Sequence, residues 1–265
     1  MMKKDTEWTY GKHALITGAS DGIGRELARN LAGQCRKITL VARRPEKLEE
    51  TKKELSRGTS STEIKTYSMD VRDTKKMKDL IDTVYKKDKD QVDIFINCAG
   101  GTHVIEPFEE MSYSDIEKIF DTNARAPIFW LRELLPRMKN NPIGNDELKR
   151  GHIIMMSSRS AERALPKLGV YASAKGAVDK FIEAMQREYA QYRLVFTLVG
   201  PGSINTAFTE KWSKKDRDAH NMESMDLEEA VAPILHALKA RYATNRISYE
   251  STAQWLDELG VLKSD

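Results

Sequence analysis

Tyr171 and Lys175 stand four residues apart, and Ser158 lies thirteen residues before the tyrosine. On a helix, a four-residue spacing puts two side chains on one face, one turn apart. A phenol ordinarily loses its proton near pH ~10. A neighbouring ammonium favours the phenolate, so the pair predicts a Tyr171 pKa lowered towards neutrality. A phenol tuned in this way exchanges a proton with an alcohol or a ketone. A serine hydroxyl beside it would hold the oxygen.

The spacing is not decisive alone, because Tyr85 and Lys89 repeat it. That pair lies in a lysine-rich stretch that reads as a solvated helix face, and the residue at the serine's offset there is Arg72. Before Tyr171, in contrast, Ser157 and Ser158 end the apolar run Ile153-Ile154-Met155-Met156. Such a run reads as a buried strand, and open α/β sheets place chemistry at strand ends.

The elements that would position these residues alternate along the chain. Strands are expected over 13–17, 38–42, 64–69, 92–97, 152–157, 194–199 and 246–249. Helices are expected over 22–33, 46–56 after Pro45, 74–87, 114–139, 171–189, 227–242 and 253–259. Pro127 and Pro136 predict kinks or breaks in the long helix. The alternation predicts an α/β fold with one doubly wound parallel sheet of about seven strands, covered by helices on both faces. No linker, internal repeat or low-complexity segment interrupts the 265 residues, so one domain over 1–265 is expected. Residues 139–151 read as a polar loop with Pro142 and Gly144, and 203–226 as a charged lid following the sixth strand.

Composition narrows the function. The net charge of +3 and the lack of a basic stripe with interleaved aromatics argue against nucleic-acid binding. Cys35 and Cys98 have no metal-like spacing, which suits a reducing compartment and predicts no metal. Residues 1–5 lack the apolar core of a signal peptide, and no run approaches the ~20 apolar residues of a membrane span. A cytoplasmic protein without membrane contact is expected.

The first strand runs into Thr17-Gly18-Ala19-Ser20-Asp21-Gly22-Ile23-Gly24. Glycines at a strand-to-helix turn let the backbone approach a pyrophosphate, and the helix N-terminus offers N–H donors and a positive dipole end. The second strand ends in Ala42-Arg43-Arg44. An acidic residue there would grip the ribose 2′-OH of NAD, whereas arginine accommodates a 2′-phosphate. The expected cofactor is NADP(H). A plain polar loop beginning at Arg43 and Arg44 is the competing reading.

With these residues in hand, the chain resembles the classical short-chain dehydrogenase/reductase (SDR) family from about residue 13 to 242. Residues 17–24 match its TGxxxGxG loop, and the resemblance implies a Rossmann fold. It brings Gly18, Ser20, Asp21, Gly22, Ile23, Gly24, Arg43 and Arg44 to the cofactor. Asp70 and Val71 resemble the pair bordering the adenine. Asn97, Ala99 and Gly100 resemble the NAG motif along the cofactor, with Cys98 as a small buried filler. Pro201, Gly202, Ile204 and Thr206 resemble the segment at the nicotinamide end. Ser158, Tyr171, Lys175 and Asn123 match the catalytic positions, the thirteen-residue offset favouring Ser158 over Ser157.

The resemblance implies hydride transfer coupled to proton transfer from Tyr171. Lys175 would bind the nicotinamide ribose, and the backbone carbonyl of Asn123 would hold a relay water. It implies reduction of a small carbonyl substrate with NADPH. The alternatives are oxidation of a secondary alcohol or sugar, and a non-catalytic NADP(H)-binding regulator, which the full catalytic set argues against. His103, Arg159, Arg163 and Leu168 are expected to line the substrate pocket. The two arginines would favour an acidic substrate unless they face solvent or pair with Glu162. The ending Gln254-Trp255-Leu256-Asp257-Glu258-Leu259-Gly260 departs from the Asp-Gly-Gly-like ending of acyl-carrier-protein thioester reductases. The resemblance implies a homodimer through the long helices near Asn123 and Tyr171, with a tetramer as the alternative.

Overall fold

A computed structural model describes residues 8–143, 148–206, 224–240 and 243–250. Seven parallel strands, β1 (His13–Thr17), β2 (Lys37–Ala42), β3 (Glu63–Ser68), β4 (Ile94–Asn97), β5 (Gly151–Met156), β6 (Leu194–Pro201) and β7 (Arg246–Tyr249), form one sheet. Their order is β3-β2-β1-β4-β5-β6-β7. The described α-helices are α1 (Gly22–Leu31), α2 (Pro45–Gly58), α3 (Thr74–Asp82), α4 (Tyr113–Phe120), α5 (Ala126–Met138), α6 (Gly169–Glu188) and α7 (Leu227–Lys239).

Strands β1, β2, β4 and β5 are buried along their whole length, as parallel strands covered on both faces must be. Alternation along β1 sends Leu15 into a core with Phe95, Trp130 and Ile153. Ala14 and Ile16 face the opposite core, with Leu27, Ile38 and Leu40. Burying one such leucine or isoleucine stabilises the fold by roughly 1.5–3 kcal/mol, which fixes which helix covers which face. Strand β1 pairs with β2 on one side and β4 on the other. The strand order reverses there, and a crevice must open beyond their carboxyl ends.

Two helices depart from expectation. The stretch expected as one helix over 114–139 is α4, a π turn at Asp121–Arg125, then α5. The π turn is held by the Asn123 side chain, whose Nδ2 donates to the Ile119 and Gly101 carbonyls, each at 2.8 Å. Pro127 sits in the first turn of α5, where its missing N–H costs little. Pro136 lies inside α5, two residues from its end, and does not stop it.

The helix expected over 74–87 turns to π geometry at Thr83–Lys87, and Lys89 takes a left-handed φ of 47°. Tyr85 and Lys89 therefore do not share a helix face. Tyr85 instead packs on the core, its hydroxyl accepting from the Val92 N–H at 3.2 Å.

Most of the expected lid, 207–223, lies outside the described residues, as do Gly144, the expected helix over 253–259 and the ending at 254–260. The two ends of the lid segment are tied by an Ile204–Met225 bridge and a 2.8 Å contact between the Ser203 and Ser224 hydroxyls. No described helix is long and apolar enough to cross a membrane.

Candidate active site

The glycine loop begins where β1 ends. Gly18 has φ +70°, and a Cβ there would stand 2.7 Å from the Ala99 backbone nitrogen. A Cβ on Gly24 would stand 2.5 Å from the Gly18 carbonyl oxygen. These two positions admit only glycine, because the loop folds tightly against the segment following β4. Thr17 locks the same corner: its hydroxyl donates to Asn97 Oδ1 at 3.0 Å and accepts from the Ala99 N–H at 3.3 Å. Asp21 caps α1, its Oδ1 accepting from the Gly22 N–H at 2.8 Å.

A cleft of about 720 Å³ runs from this loop across the carboxyl ends of the strands. Along it lie Gly18, Ser20, Asp21, Gly22, Ile23 and Gly24, then Arg43, Arg44, Asp70 and Val71. Ala99, Gly100, Ser158, Tyr171 and Lys175 line it, as do Pro201, Gly202, Ile204 and Thr206, Thr206 standing 3.4 Å from where a Cβ on Gly22 would be. His103, Arg159, Arg163 and Leu168 line it too.

Two expected residues do not. Asn97 and Asn123 are buried behind the cleft, at 1% and 0% exposure. Asn97 braces β4 against Thr17. Asn123 clamps Gly101, accepting from its N–H and donating to its carbonyl. Cys98 lines the cleft, and burial pushes its thiol up to about 12, which leaves it no nucleophile.

Three guanidiniums, Arg43, Arg44 and Arg72, line the cleft beyond the ends of β2 and β3. Arg44 pairs with Asp21 at 3.1 Å. Arg72, which the sequence reasoning passed over, grips Asp70 through Nε at 3.0 Å and Nη2 at 2.7 Å. That pairing holds the Asp70 carboxyl below its ordinary range. Arg43 is exposed, just beyond buried Ala42.

The reacting residues meet at the end of β5. Ser158 and Tyr171 hydrogen-bond through their side chains, and the Ser158 oxygen also accepts from the Ser160 N–H at 3.1 Å. Lys175 Nζ donates to the Met156 carbonyl at 2.8 Å and lies 5.8 Å from the Tyr171 ring centre. The expected lowering of the Tyr171 pKa is not what the structure shows. Burial pushes the phenol up to about 12, opposed by the Ser158 hydrogen bond and reinforced by Asp179. Burial likewise brings Lys175 down to about 8, against the pull of Asp179 and Cys98. At this site desolvation is the leading influence on the phenol.

On the substrate side, Arg159 is committed to Glu162 and Glu250, so its charge is largely spent within the protein. His103 Nε2 lies 2.8 Å from Asp115 Oδ1. The cleft also holds Thr102, Lys118, Thr122, Ser160 and Leu165. No motif marks them; they arrive through the loop after β4, the helix α4 and the turn after β5. Among the described residues no group of acidic, histidine or cysteine side chains could hold a metal ion.

The family model described as short chain dehydrogenase matches residues 12–217. Among curated proteins, 3-ketodihydrosphingosine reductase of Mus musculus is 31% identical over 199 residues, 74% of this chain and 57% of that protein. Glycine betaine reductase of Emericella nidulans is 29% identical over 86% of this chain, which spans only 18% of that protein's length. An uncharacterised oxidoreductase of Staphylococcus saprophyticus is 29% identical over 92% of this chain and 94% of its own length.

Among solved structures, a dehydrogenase/reductase from Sinorhizobium meliloti superposes with a TM-score of 0.80 at 20% identity, covering 94% of this chain and 97% of that one. An alcohol dehydrogenase from Thermococcus sibiricus, complexed with 5-hydroxy-NADP, gives 0.76 at 24% identity, covering 92% and 97%. At such identities the structural likeness carries the fold alone. The family match over most of the chain, on a seven-stranded parallel sheet with a glycine loop at its switch point, places this protein in the short chain dehydrogenase family.

Proposed function

We propose that this protein reduces a ketone or aldehyde to the alcohol with NADPH, with Tyr171 as the general acid. The observation that carries this reading is the hydrogen-bonded Ser158–Tyr171 pair in the cleft, with Lys175 anchored one turn along α6. When bound, NADPH supplies the hydride.

The chain's own residues do the rest. Ser158 and Tyr171 donate hydrogen bonds to the substrate oxygen, and Tyr171 gives up its proton as that oxygen gains charge. A phenol held fully protonated at neutral pH is an acid in waiting, and the alkoxide forming beside it supplies the driving force. Lys175 holds positive charge next to the phenolate left behind. Pro127 follows Asn123 by four residues and has no N–H to offer the Asn123 carbonyl. This supports a role for that carbonyl in holding a relay water.

The loop glycines would bring backbone N–H groups to a pyrophosphate. Against a 2′-phosphate stand Arg43, Arg44 and Arg72, with only Asp21 and Asp70 to offset them, an excess of positive charge where NAD would call for a carboxylate. The reductase names of two curated relatives support the reductive direction. The reading includes a cytoplasmic homodimer through the long helices near Asn123 and Tyr171, the α4–α5 stretch and α6.

NADPH oxidation across a panel of carbonyl compounds tests this, with wild type beside Tyr171→Phe. Wild-type turnover is expected to fall by roughly 10²–10⁴ in the variant while NADPH binding, followed by its fluorescence, is retained. Arg43→Ala should weaken NADPH about tenfold or more and leave NADH nearly unchanged. Full activity in Tyr171→Phe, or turnover only of alcohols with NADP⁺, would overturn the reading.

A further inference from the structure

On α6 the column that starts with Tyr171 and Lys175 does not stop there. Asp179 follows Lys175 by four residues, so phenol, ammonium and carboxylate share one helix face. The Asp179 side chain is 12% exposed. Its Oδ2 accepts from Arg246 Nη1 at 2.9 Å. Its Oδ1 is buried and has no hydrogen-bond partner among the described residues. A carboxylate oxygen left bare inside the protein costs free energy unless its charge acts on something nearby, and the ammonium one turn away is such a group.

Arg246 enters from β7 and is itself shared. Its Nε donates to Glu162 Oε1 at 2.6 Å and to the Ser248 hydroxyl at 3.0 Å. Glu162 also pairs with Arg159, whose Nη2 reaches Glu250 Oε1 at 3.2 Å. The charged and titratable groups around Asp179 are thus Tyr171 and Lys175 on α6, Arg246 on β7 and Glu250 after it. Glu162 and, beyond it, Arg159 connect to Asp179 through Arg246, Glu183 follows Asp179 by four residues on α6, and Cys98 acts on Lys175 from the β4 side.

We propose that Asp179 is a positioning residue for this site: as third member of the column it holds the proton on Lys175, and Arg246 sets how strongly it does so. The inference rests on reading Tyr171 and Lys175 as the reacting pair. Burial works to strip Lys175 of its charge, and Asp179 is the leading influence opposing that loss. Asp179 also favours the protonated phenol. Both proton affinities therefore move together when its charge changes. Removing the carboxylate lowers both. Removing Arg246 leaves Asp179 and Glu162 less neutralised and raises both. An ion pair that only fastened β7 to α6 would give the same effect whichever partner was lost.

The test is a titration of the protein labelled with ¹³C at lysine Cε, read by NMR without substrate or cofactor. The Lys175 signal is assigned by its loss in Lys175→Met. Asp179→Asn is expected to lower the Lys175 midpoint by about half a pH unit or more, and Arg246→Gln to raise it. Asp179→Glu should restore the wild-type midpoint. Shifts of the same sign in Asp179→Asn and Arg246→Gln, or no shift in Asp179→Asn, overturn the proposal. If Asp179→Asn does not fold, Arg246→Gln decides alone, and an unchanged or lowered midpoint overturns it. Once a substrate is found, the alkaline limb of kcat/KM for reduction should move to lower pH in Asp179→Asn and to higher pH in Arg246→Gln. The titration stands without turnover, so a failed reductase assignment is distinguishable from a failed role for Asp179.

Discussion

A Cβ on Gly100 would fall 2.9 Å from Asn123 Oδ1 and 3.0 Å from Lys175 Nζ. The amide oxygen is fixed by its bond from the Gly101 N–H at 2.8 Å, and the ammonium by its bond to the Met156 carbonyl at 2.8 Å, so the added methyl strains both. Gly100→Ala is therefore expected to melt at a lower temperature and to lose about 10²-fold in turnover per folded molecule, the scale of a misplacement near 1 Å. Unchanged turnover would mean that the place of Lys175 against Gly100 is not required. The sequence made the column of reacting residues legible through spacing, because helix geometry converts spacing into neighbourhood. It could not reveal the direction of the Tyr171 shift. Spacing brings an ammonium near a phenol, but the depth of both groups decides whether attraction or desolvation wins, and depth is set by elements far along the chain. Arg72 was missed for a related reason. It follows β3 with no motif to mark it, and only its grip on Asp70 brings its charge to the cleft.

Elements are held together at the amino ends of the strands by groups that carry no signature either. Lys149, just before β5, is buried, and its Nζ donates to the carbonyls of Leu238 at 2.8 Å and Ala240 at 3.1 Å, at the last turn of α7. It also lies 3.2 Å from His152 Nδ1 and 4.3 Å from the centre of the Trp8 ring. A helix leaves its final carbonyls without partners, and the Lys149 amine donates to them although burial, with Lys12 nearby, brings it down to about 7. Lys149→Met removes the donor and strands buried acceptors, so a loss of about 2–4 kcal/mol in denaturant unfolding is expected. Activity per folded molecule should stay close to wild type, because Ser158 and Tyr171 sit at the opposite end of β5. A stability change below about 1 kcal/mol would show that water replaces the ammonium freely. The partners of Lys149 lie some ninety residues along the chain, beyond any local pattern. Local patterns did serve where the cause was local: the strands, the start of α1 at Gly22 and Pro45 opening α2. They failed between α4 and α5, where prolines suggested the breaks but the Asn123 side chain makes the turn.

At the scale of the molecule, the topology brings one half of the chain to the other. The cofactor loop hangs from β1 and β4, the proton-transfer residues from β5 and α6, and the crevice at the sheet's reversal lets them share one cleft. Outside that cleft, Phe108, Tyr113 and Phe120 are 69%, 88% and 38% exposed, all on α4 or the turn leading into it. Phe120 adjoins the π turn that carries Asn123. If two copies pair through this face, the interface contains Phe120 twice by symmetry. Only the 38% of each residue still exposed can be buried, so the two would contribute about 1–2 kcal/mol, or roughly tenfold in Kd. Wild type should then run at twice the chain mass in light scattering at micromolar concentration, and Phe120→Glu at the chain mass. The variant should keep its fold and NADPH binding, since the cleft is built within one chain, but turnover should fall if pairing steadies the Asn123 turn. A monomeric wild type would overturn the homodimer, and a Phe120→Glu variant that still pairs would move the interface to another face.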